Sequence, residues 1–391
     1  VENIDLTLVS QSIQLMGFMI FIRWFVSLHQ GIISGLEDQV WLNIFKIFIN
    51  TLKFVGGLIL VIFISTNILH FFIFQAIIGI VEFLILSFRT YSKFSNTTKA
   101  NPTLKELRRI MPFALSVAYT SLIWMISSQF DKFLLSHYIP LKEYGYFALV
   151  VAIQGAVMQF SGPISRAILP RMVSQLSNNK KENMIDLYRK STQLISIIIV
   201  SIVAIIAFFS YELLLSWTGN EEASLWASPI LFWYVIGNAV LALKAFQYNM
   251  QYVYGDMKYQ NISNTIYPLI ALPTVYFSVI YYGAIGSAIS WFILNTISFF
   301  VLSYLVHNRF VPGLHLKWLI KDILPVLITT SLFLLVLFSL KLDLEVLNRL
   351  ETFINLLFIG SVLLVLNTLT YKFTREKVFM FISKKLQKVT L

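Results

Sequence analysis

Cysteine is absent from this chain of 391 residues, which excludes disulfides, thiol catalysis and cysteine metal sites. Charge is scarce, at 13% of residues, and acids are the scarcer sign: 19 Asp and Glu stand against 30 Lys and Arg. No GxxxxGKS or GxxxxGKT loop is present to cradle a nucleotide phosphate, so the chain has no ATPase site of that kind. The five histidines (His29, His70, His137, His307 and His315) show no metal-ligand spacing, and no acidic cluster suggests a glycosyltransferase. Apolar residues take the place of charge, at 57% of the sequence with a mean hydropathy of +0.75. A soluble domain must cover its exterior with polar residues and cannot hide that much apolar surface.

Runs of about 20 apolar residues match the length a helix needs to cross the hydrocarbon of a bilayer. Such runs predict an all-α polytopic membrane protein with spans near 10–34, 38–64, 67–89, 109–133, 143–170, 187–210, 226–251, 259–281, 284–306, 322–340 and 352–371. That is eleven transmembrane helices. The segments between them alternate in charge: one side holds twenty-one Lys and Arg, the other only Lys142, Lys341 and Arg349. Positive charge collects on the cytoplasmic side of membrane proteins, so the basic face is expected to be cytoplasmic. A net charge of +11 therefore reflects topology rather than nucleic-acid binding. The basic tail at 372–391 reads as an amphipathic helix on anionic lipid, or equally as a simple stop-transfer anchor.

Polar landmarks recur within the chain. HQGIISGLEDQVWLNI at 29–44 parallels FQYNMQYVYGDMKYQNI at 246–262, with Asp38 on Asp256 and Asn43 on Asn261. Displaced by about 218 residues, span 38–64 falls on 256–282 and span 67–89 on 285–307. The expected organisation is the C-terminal half of a first lobe (1–90), a basic cytoplasmic linker (91–108), a second six-helix lobe (109–307), two additional helices (322–371) and the tail. By this register the first repeat would begin about 110 residues before Val1, leaving three helices outside this chain. Repeats with an even number of spans share an orientation, an arrangement found in alternating-access transporters.

Six cations lie inside the expected spans: Arg23, Lys46, Lys53, Lys132, Arg166 and Lys244. Only two acids, Glu82 and Asp131, accompany them. A charge at helix centre costs about 2.5–3.5 kcal/mol on insertion scales, so such residues face a bundle interior or a wet cavity. Arg23 is near mid-span, out of reach of either surface; its competing reading is a structural pair with an acid. Asn43, Lys46, Asn50 and Lys53 form one polar stripe at helical spacing, which suits a helix lining water. Lys46 also lies within snorkelling reach of cytoplasmic headgroups, whereas Lys53 lies deeper. Lys244, Gln247 and Gln251 share a face leading towards Asp256; helix-to-helix hydrogen bonding is the alternative for the glutamines. Arg166 is close enough to the basic loop to snorkel. Glu82 and Asp131 read either as counter-charges or as sites where H⁺ or Na⁺ couples to transport, and Asp131 has Lys132 beside it as a local partner. Gly56, Gly57, Pro163 and Pro268 mark bends or close packing.

The segment SSQFDKFLLSHYIPLKEYGYFALVVAIQGAVMQFSGPISRAILPRMVSQL, 127–176, resembles the opening helix pair of a lobe in polysaccharide flippases. These belong to the multidrug/oligosaccharidyl-lipid/polysaccharide exporter superfamily. The resemblance is carried by the FDKFLL helix end, the EYGYFAL entry and the PISRAILPRM exit; LHQGIISGLEDQVWLNIFKIF, 28–48, is similar to the family's fourth-to-fifth helix junction. It implies two six-helix lobes plus two C-terminal helices in the intact protein. It further implies a non-enzymatic flippase that moves a lipid-linked oligosaccharide, of the O-antigen or capsule type on undecaprenyl pyrophosphate, across the bacterial cytoplasmic (inner) membrane. No cofactor is implied; the partners would be membrane lipid, a coupling ion and a polysaccharide polymerase. Joined to this resemblance, the cationic spans suggest that Arg23, Lys46, Asn50, Lys53, Lys244, Gln247 and Arg166 bind substrate, with Glu82 and Asp131 coupling an ion. A peptidoglycan-precursor flippase would share the cationic cavity. A multidrug exporter would prefer an acidic one, and a membrane-embedded polymerase would need a larger outer loop than the sequence offers.

Overall fold

A computed structural model describes residues 6–36, 38–93, 104–340 and 348–376. Every regular element among them is helical, as a bilayer demands of backbone that cannot hydrogen-bond to solvent. The chain separates into two compact units, Val1–Arg109 and Ile110–Leu391. Nine helices among the described residues are long and apolar enough to cross a membrane, which bears out the all-α polytopic class. That number does not by itself confirm the expected count of eleven. Spans 259–281 and 284–306 are two helical limbs within Lys258–Phe310, separated at Gly283, where φ is 60° and ψ is −144°. Span 109–133 lies within the helix Leu104–Tyr138, many of whose side chains lie outside the described residues. The outer part of the basic linker (94–103) and the tail from 377 onwards lie outside the described residues.

The first unit contains α1 (Leu6–Gly35), α2 (Gln39–Ile59, continued by a π-helical turn at Leu60–Ile64) and α3 (Ile68–Lys93). Ile22, Val26 and Ile33 of α1 meet Leu42 of α2 and Leu86 of α3 in a small apolar core. Leu42, Ile49 and Gly57 mark the packed face of α2. Lys53 lies on that same face by helical spacing, so the sequence places an ammonium where packing, not lipid, is its surroundings.

In the second unit α4 (Leu104–Tyr138), α5 (Leu141–Met158), α6 (Ser161–Ser177), α7 (Lys181–Phe208), α8 (Ser210–Thr218), α9 (Glu221–Val253) and α10 (Lys258–Phe310) form the main bundle. Short α11 (Leu314–Trp318) leads through a π-helical turn into α12 (Leu324–Leu340), and α13 (Arg349–Thr370) follows. Helix starts are set by side chains: Asn220 accepts from the Ala223 amide at 3.0 Å, and Asn348 with Glu351 makes a capping box. Gly219, at φ 67°, ends α8 in a left-handed conformation that glycine adopts without strain. Leu337, Leu356 and Leu363 of α12 and α13 seat on Ile205 and Phe209 beside α7, and the Asn367 amide donates to Ser201 and Thr330 at 2.9 Å each.

The same helix–Asp–helix turn occurs in each unit. The Asp38 amide donates to the Ile33 carbonyl at 3.2 Å, and the Asp256 amide to the Gln251 carbonyl at 3.1 Å. Each aspartate then pairs with an arginine at a later helix end, Asp38 with Arg89 at 2.7 Å and Asp256 with Arg309 at 3.9 Å. Arg89, and after it Lys93, holds the Asp38 carboxyl below its ordinary pKa of 3.8. That pairing is complete above this value and is lost only as pH falls below it.

Gly286 sits just beyond the bend in α10, and an added Cβ would run into the Ser278 carbonyl and to within 2.7 Å of the Tyr282 Cβ. Gly286→Ala is therefore expected to lower thermal stability in detergent by about 1–3 kcal/mol, as overpacking does. Gly155→Ala, with nothing within 4 Å of its Cβ position, is the control expected to leave the transition unchanged.

Candidate functional site

Three helices of the first unit bring Arg23, Lys53 and Glu82 around one small cavity, which Gln75 and Gly79 help to line. Its volume of about 30 Å³ has room for roughly one water. Lys53 Nζ lies 2.5 Å from Glu82 Oε2, with only 13% and 9% of the two side chains exposed. The other carboxylate oxygen accepts from Gln30 Nε2 at 3.3 Å, while Gln75 Nε2 donates to the Lys53 carbonyl at 2.9 Å. Behind Glu82, His29 bridges Thr90 at 3.1 Å and Ser87 at 3.0 Å, so the polar groups of α1 and α3 are matched in a row. Arg23, exposed on α1, has no ion-pair partner among the described residues. The sequence left open whether Glu82 is a counter-charge and to which cation; here it pairs with Lys53, and Arg23 has no such partner among the described residues. The shared packed face of α2 and the matching depth of residue 82 were the only signals available for that pairing.

Lys46 is half-buried on α2 without an ion-pair partner among the described residues; Asn43 and Asn50 of the same stripe are exposed. Neither Lys46 nor Asn50 reaches the cavity that Arg23 and Lys53 line. The side chain of Arg166 lies outside the described residues.

The second unit treats its polar groups differently. Along α9 and the second limb of α10, hydrogen bonds form a ladder: Tyr234 to Ser287 at 2.9 Å, Trp291 to Asn238 at 2.8 Å, Lys244 to Ser298 at 3.0 Å and Gln247 to Ser303 at 2.6 Å. Gln247 is fully enclosed, and Gln251 Oε1 accepts from the Gln260 amide of α10 at 2.8 Å, so both glutamines join helices rather than face a cavity. Gln247, expected among the substrate-binding residues, has its amide on Ser303 here. Lys244 keeps its ammonium 5.2 Å over the Tyr267 ring and has no carboxylate partner among the described residues. Asp131 accepts from the Tyr234 hydroxyl at 2.5 Å and pairs with Lys132 at 3.3 Å, so it is a buried structural centre. Asp131, expected as an ion-coupling residue, is thus engaged by Tyr234 and Lys132.

One enclosed acid escaped the sequence reading because it falls at a span boundary. Asp322 is 0% exposed and takes a two-pronged bond from Arg189, at 2.7 and 2.9 Å, and a third from Gln193 at 2.7 Å. No cluster of three or more metal-ligating side chains occurs among the described residues. His307 and His315 instead share a hydrogen bond between their Nδ1 atoms at 3.2 Å.

A family model described as "Polysaccharide biosynthesis protein" matches residues 2–176. The fold is similar to that of a solved structure, "Lipid II flippase MurJ, inward closed conformation", with a TM-score of 0.71 and 16% identity. The likeness covers 92% of this chain and 73% of that one. No curated protein matches the sequence. The resemblance read from the sequence is borne out to this extent: residues 2–176 match the polysaccharide-biosynthesis family model, and the chain shares the fold of that flippase structure.

The ion pair can be tested by a double-mutant cycle. Lys53→Met or Glu82→Leu alone leaves a lone charge among apolar helices and should cost about 3–5 kcal/mol of stability. The double variant should lose much less, as read by unfolding in detergent.

Proposed function

We propose that this protein is a flippase that carries a lipid-linked oligosaccharide from the cytoplasmic to the outer leaflet of the bacterial cytoplasmic membrane for surface-polysaccharide synthesis. Its substrate would be an O-antigen or capsule unit on undecaprenyl pyrophosphate. The observation that carries the reading is the Lys53–Glu82 pair, enclosed among apolar helices, with Arg23, which has no ion-pair partner among the described residues, on the same small cavity.

An empty site with a free ammonium in low dielectric is costly, and Glu82 removes that cost by standing where an anion would stand. A phosphate arriving at Arg23 competes with Glu82 for Lys53. Opposite charges about 4 Å apart attract by about 4 kcal/mol at an effective dielectric of 20, so neither partner holds Lys53 irreversibly. Once displaced, the Glu82 carboxylate takes up H⁺ or Na⁺, which keeps the net charge of the site constant and couples translocation to an ion gradient. Lys46 and Asn50 extend the polar stripe towards the basic end of α2 and would pass the headgroup inward; within the second unit, Lys244 and Arg166 are the candidate substrate-binding cations. The sugars travel with the pyrophosphate through water, and the prenyl chain remains in lipid. Alternating exposure of the site to the two faces would complete the cycle, and a polymerase would consume the product outside.

A second reading, a flippase for a peptidoglycan-precursor lipid, is favoured by the fold shared with the lipid II flippase structure. Both substrates offer a pyrophosphate to the same cations. They part company in what accumulates when the gene is lost.

Deletion of the intact gene, with lipid extraction and surface-glycan analysis, separates the two. One inward-facing lipid-linked oligosaccharide should build up in viable cells. Arg23→Ala should lower rescue by about tenfold or more, the scale of one charged phosphate contact. The charge-swapped Lys53→Glu/Glu82→Lys variant should fold yet fail to rescue. Unchanged glycans in the deletion strain would overturn the assignment, and loss of viability with peptidoglycan-precursor build-up would support the second reading.

A further inference from the structure

The second unit holds a groove of about 750 Å³ between α6 and α7, closed at one side by Phe373. A smaller hollow of about 330 Å³ continues from it and shares Asp186, Lys190 and Phe373. The loop joining α6 to α7 belongs to the basic side of the chain, so the groove sits at the level where cytoplasmic headgroups lie. Its floor is apolar, formed by Ile168, Leu187 and Leu194, and its rim is polar. A floor of that kind suits the first carbons of an acyl chain, and a polar rim suits what is attached to them.

The charges of the groove do not cancel. Lys190 holds Asp186 at 2.6 Å and lies 5.1 Å over the Phe373 ring, while the neighbouring Arg189 is committed to buried Asp322. The acids are thereby occupied. Arg171 remains exposed at the rim with no ion-pair partner among the described residues. Gln175, also on the groove wall, buries a side-chain carbonyl oxygen that has no hydrogen-bond partner among the described residues. The site therefore offers a free guanidinium for an acceptor and a free oxygen for a donor. Both requirements are met by one headgroup: a phosphate that also carries hydroxyls.

We infer that this groove binds the headgroup of an anionic, hydroxyl-bearing phospholipid such as phosphatidylglycerol, with Arg171 on the phosphate, Gln175 accepting from a headgroup hydroxyl and the acyl chain along Ile168 and Leu194. Lys190 stays on Asp186 and adds positive potential without being displaced. Because α6 and α7 pack on one another and α7 also carries α13, a lipid seated here braces the end of the second unit. This site is separate from the Arg23–Lys53 cavity, and its test does not involve transport.

The full chain is reconstituted in vesicles of mixed phosphatidylglycerol, phosphatidylethanolamine and phosphatidylcholine, extracted gently, and its retained lipids are counted by native mass spectrometry. Phosphatidylglycerol should be retained in preference, and Arg171→Gln should lower its apparent affinity about fivefold, with Gln175→Leu acting in the same direction. Lys142→Gln, on the other face, should change nothing. Equal retention by wild type and Arg171→Gln would overturn the assignment, as would preference for phosphatidylethanolamine or displacement of the lipid by inorganic phosphate at millimolar concentration.

Discussion

A charge enclosed among apolar helices needs a partner within a few ångströms, since water is not there to solvate it. The arrangement of both units follows from that requirement. Asp322 is fully buried because Arg189 and Gln193 reach it from α7. Asp131 is tolerated because Tyr234 and Lys132 reach it from two sides. Lys53 is tolerated because Glu82 stands 2.5 Å away. The groups left without a carboxylate among the described residues, Arg23, Lys46 and Lys244, are then the ones through which an anionic guest would be felt. Function, on this account, begins where internal compensation stops.

The two units resolve the same constraint in different ways. Each contains a helix–Asp–helix turn whose aspartate pairs with an arginine at a later helix end, the local frame expected of related halves. Within that frame the first unit gathers its polarity into one ion pair beside a cavity. The second spreads it along α9 and α10 as a ladder of short hydrogen bonds that bind helix to helix. An ion pair can exchange a partner with a charged ligand. A ladder that is neutral apart from Lys244 cannot do so without separating its helices, which fits a bracing role.

Helix class and most span positions were legible because hydropathy is a local property and the bilayer fixes its length. Partners were not legible, because each pair joins residues distant in the chain. Lys53 and Glu82 are on different helices, and nothing within either helix announces the other. Asp322 was passed over because a window centred on 322–340 treats its first residue as an edge, whereas Arg189 draws it fully inside. The break at Gly283 falls between the expected spans 259–281 and 284–306, where a positive φ that glycine adopts without strain lets the chain turn from one helical limb to the next. Gln247 shares a helical face with Lys244 in the sequence; its bond to Ser303, which joins α9 to α10, is a contact that only the fold reveals.

The central claim is that Glu82 holds the place of a substrate phosphate on Lys53 and yields it on loading. Infrared difference spectroscopy with isotope-labelled glutamate, before and after adding undecaprenyl pyrophosphate, reads that exchange at the carboxyl group itself. The account predicts a shifted carboxyl band that vanishes in Glu82→Gln protein. A spectrum in which the Glu82 carboxylate remains unperturbed at saturating lipid would contradict it.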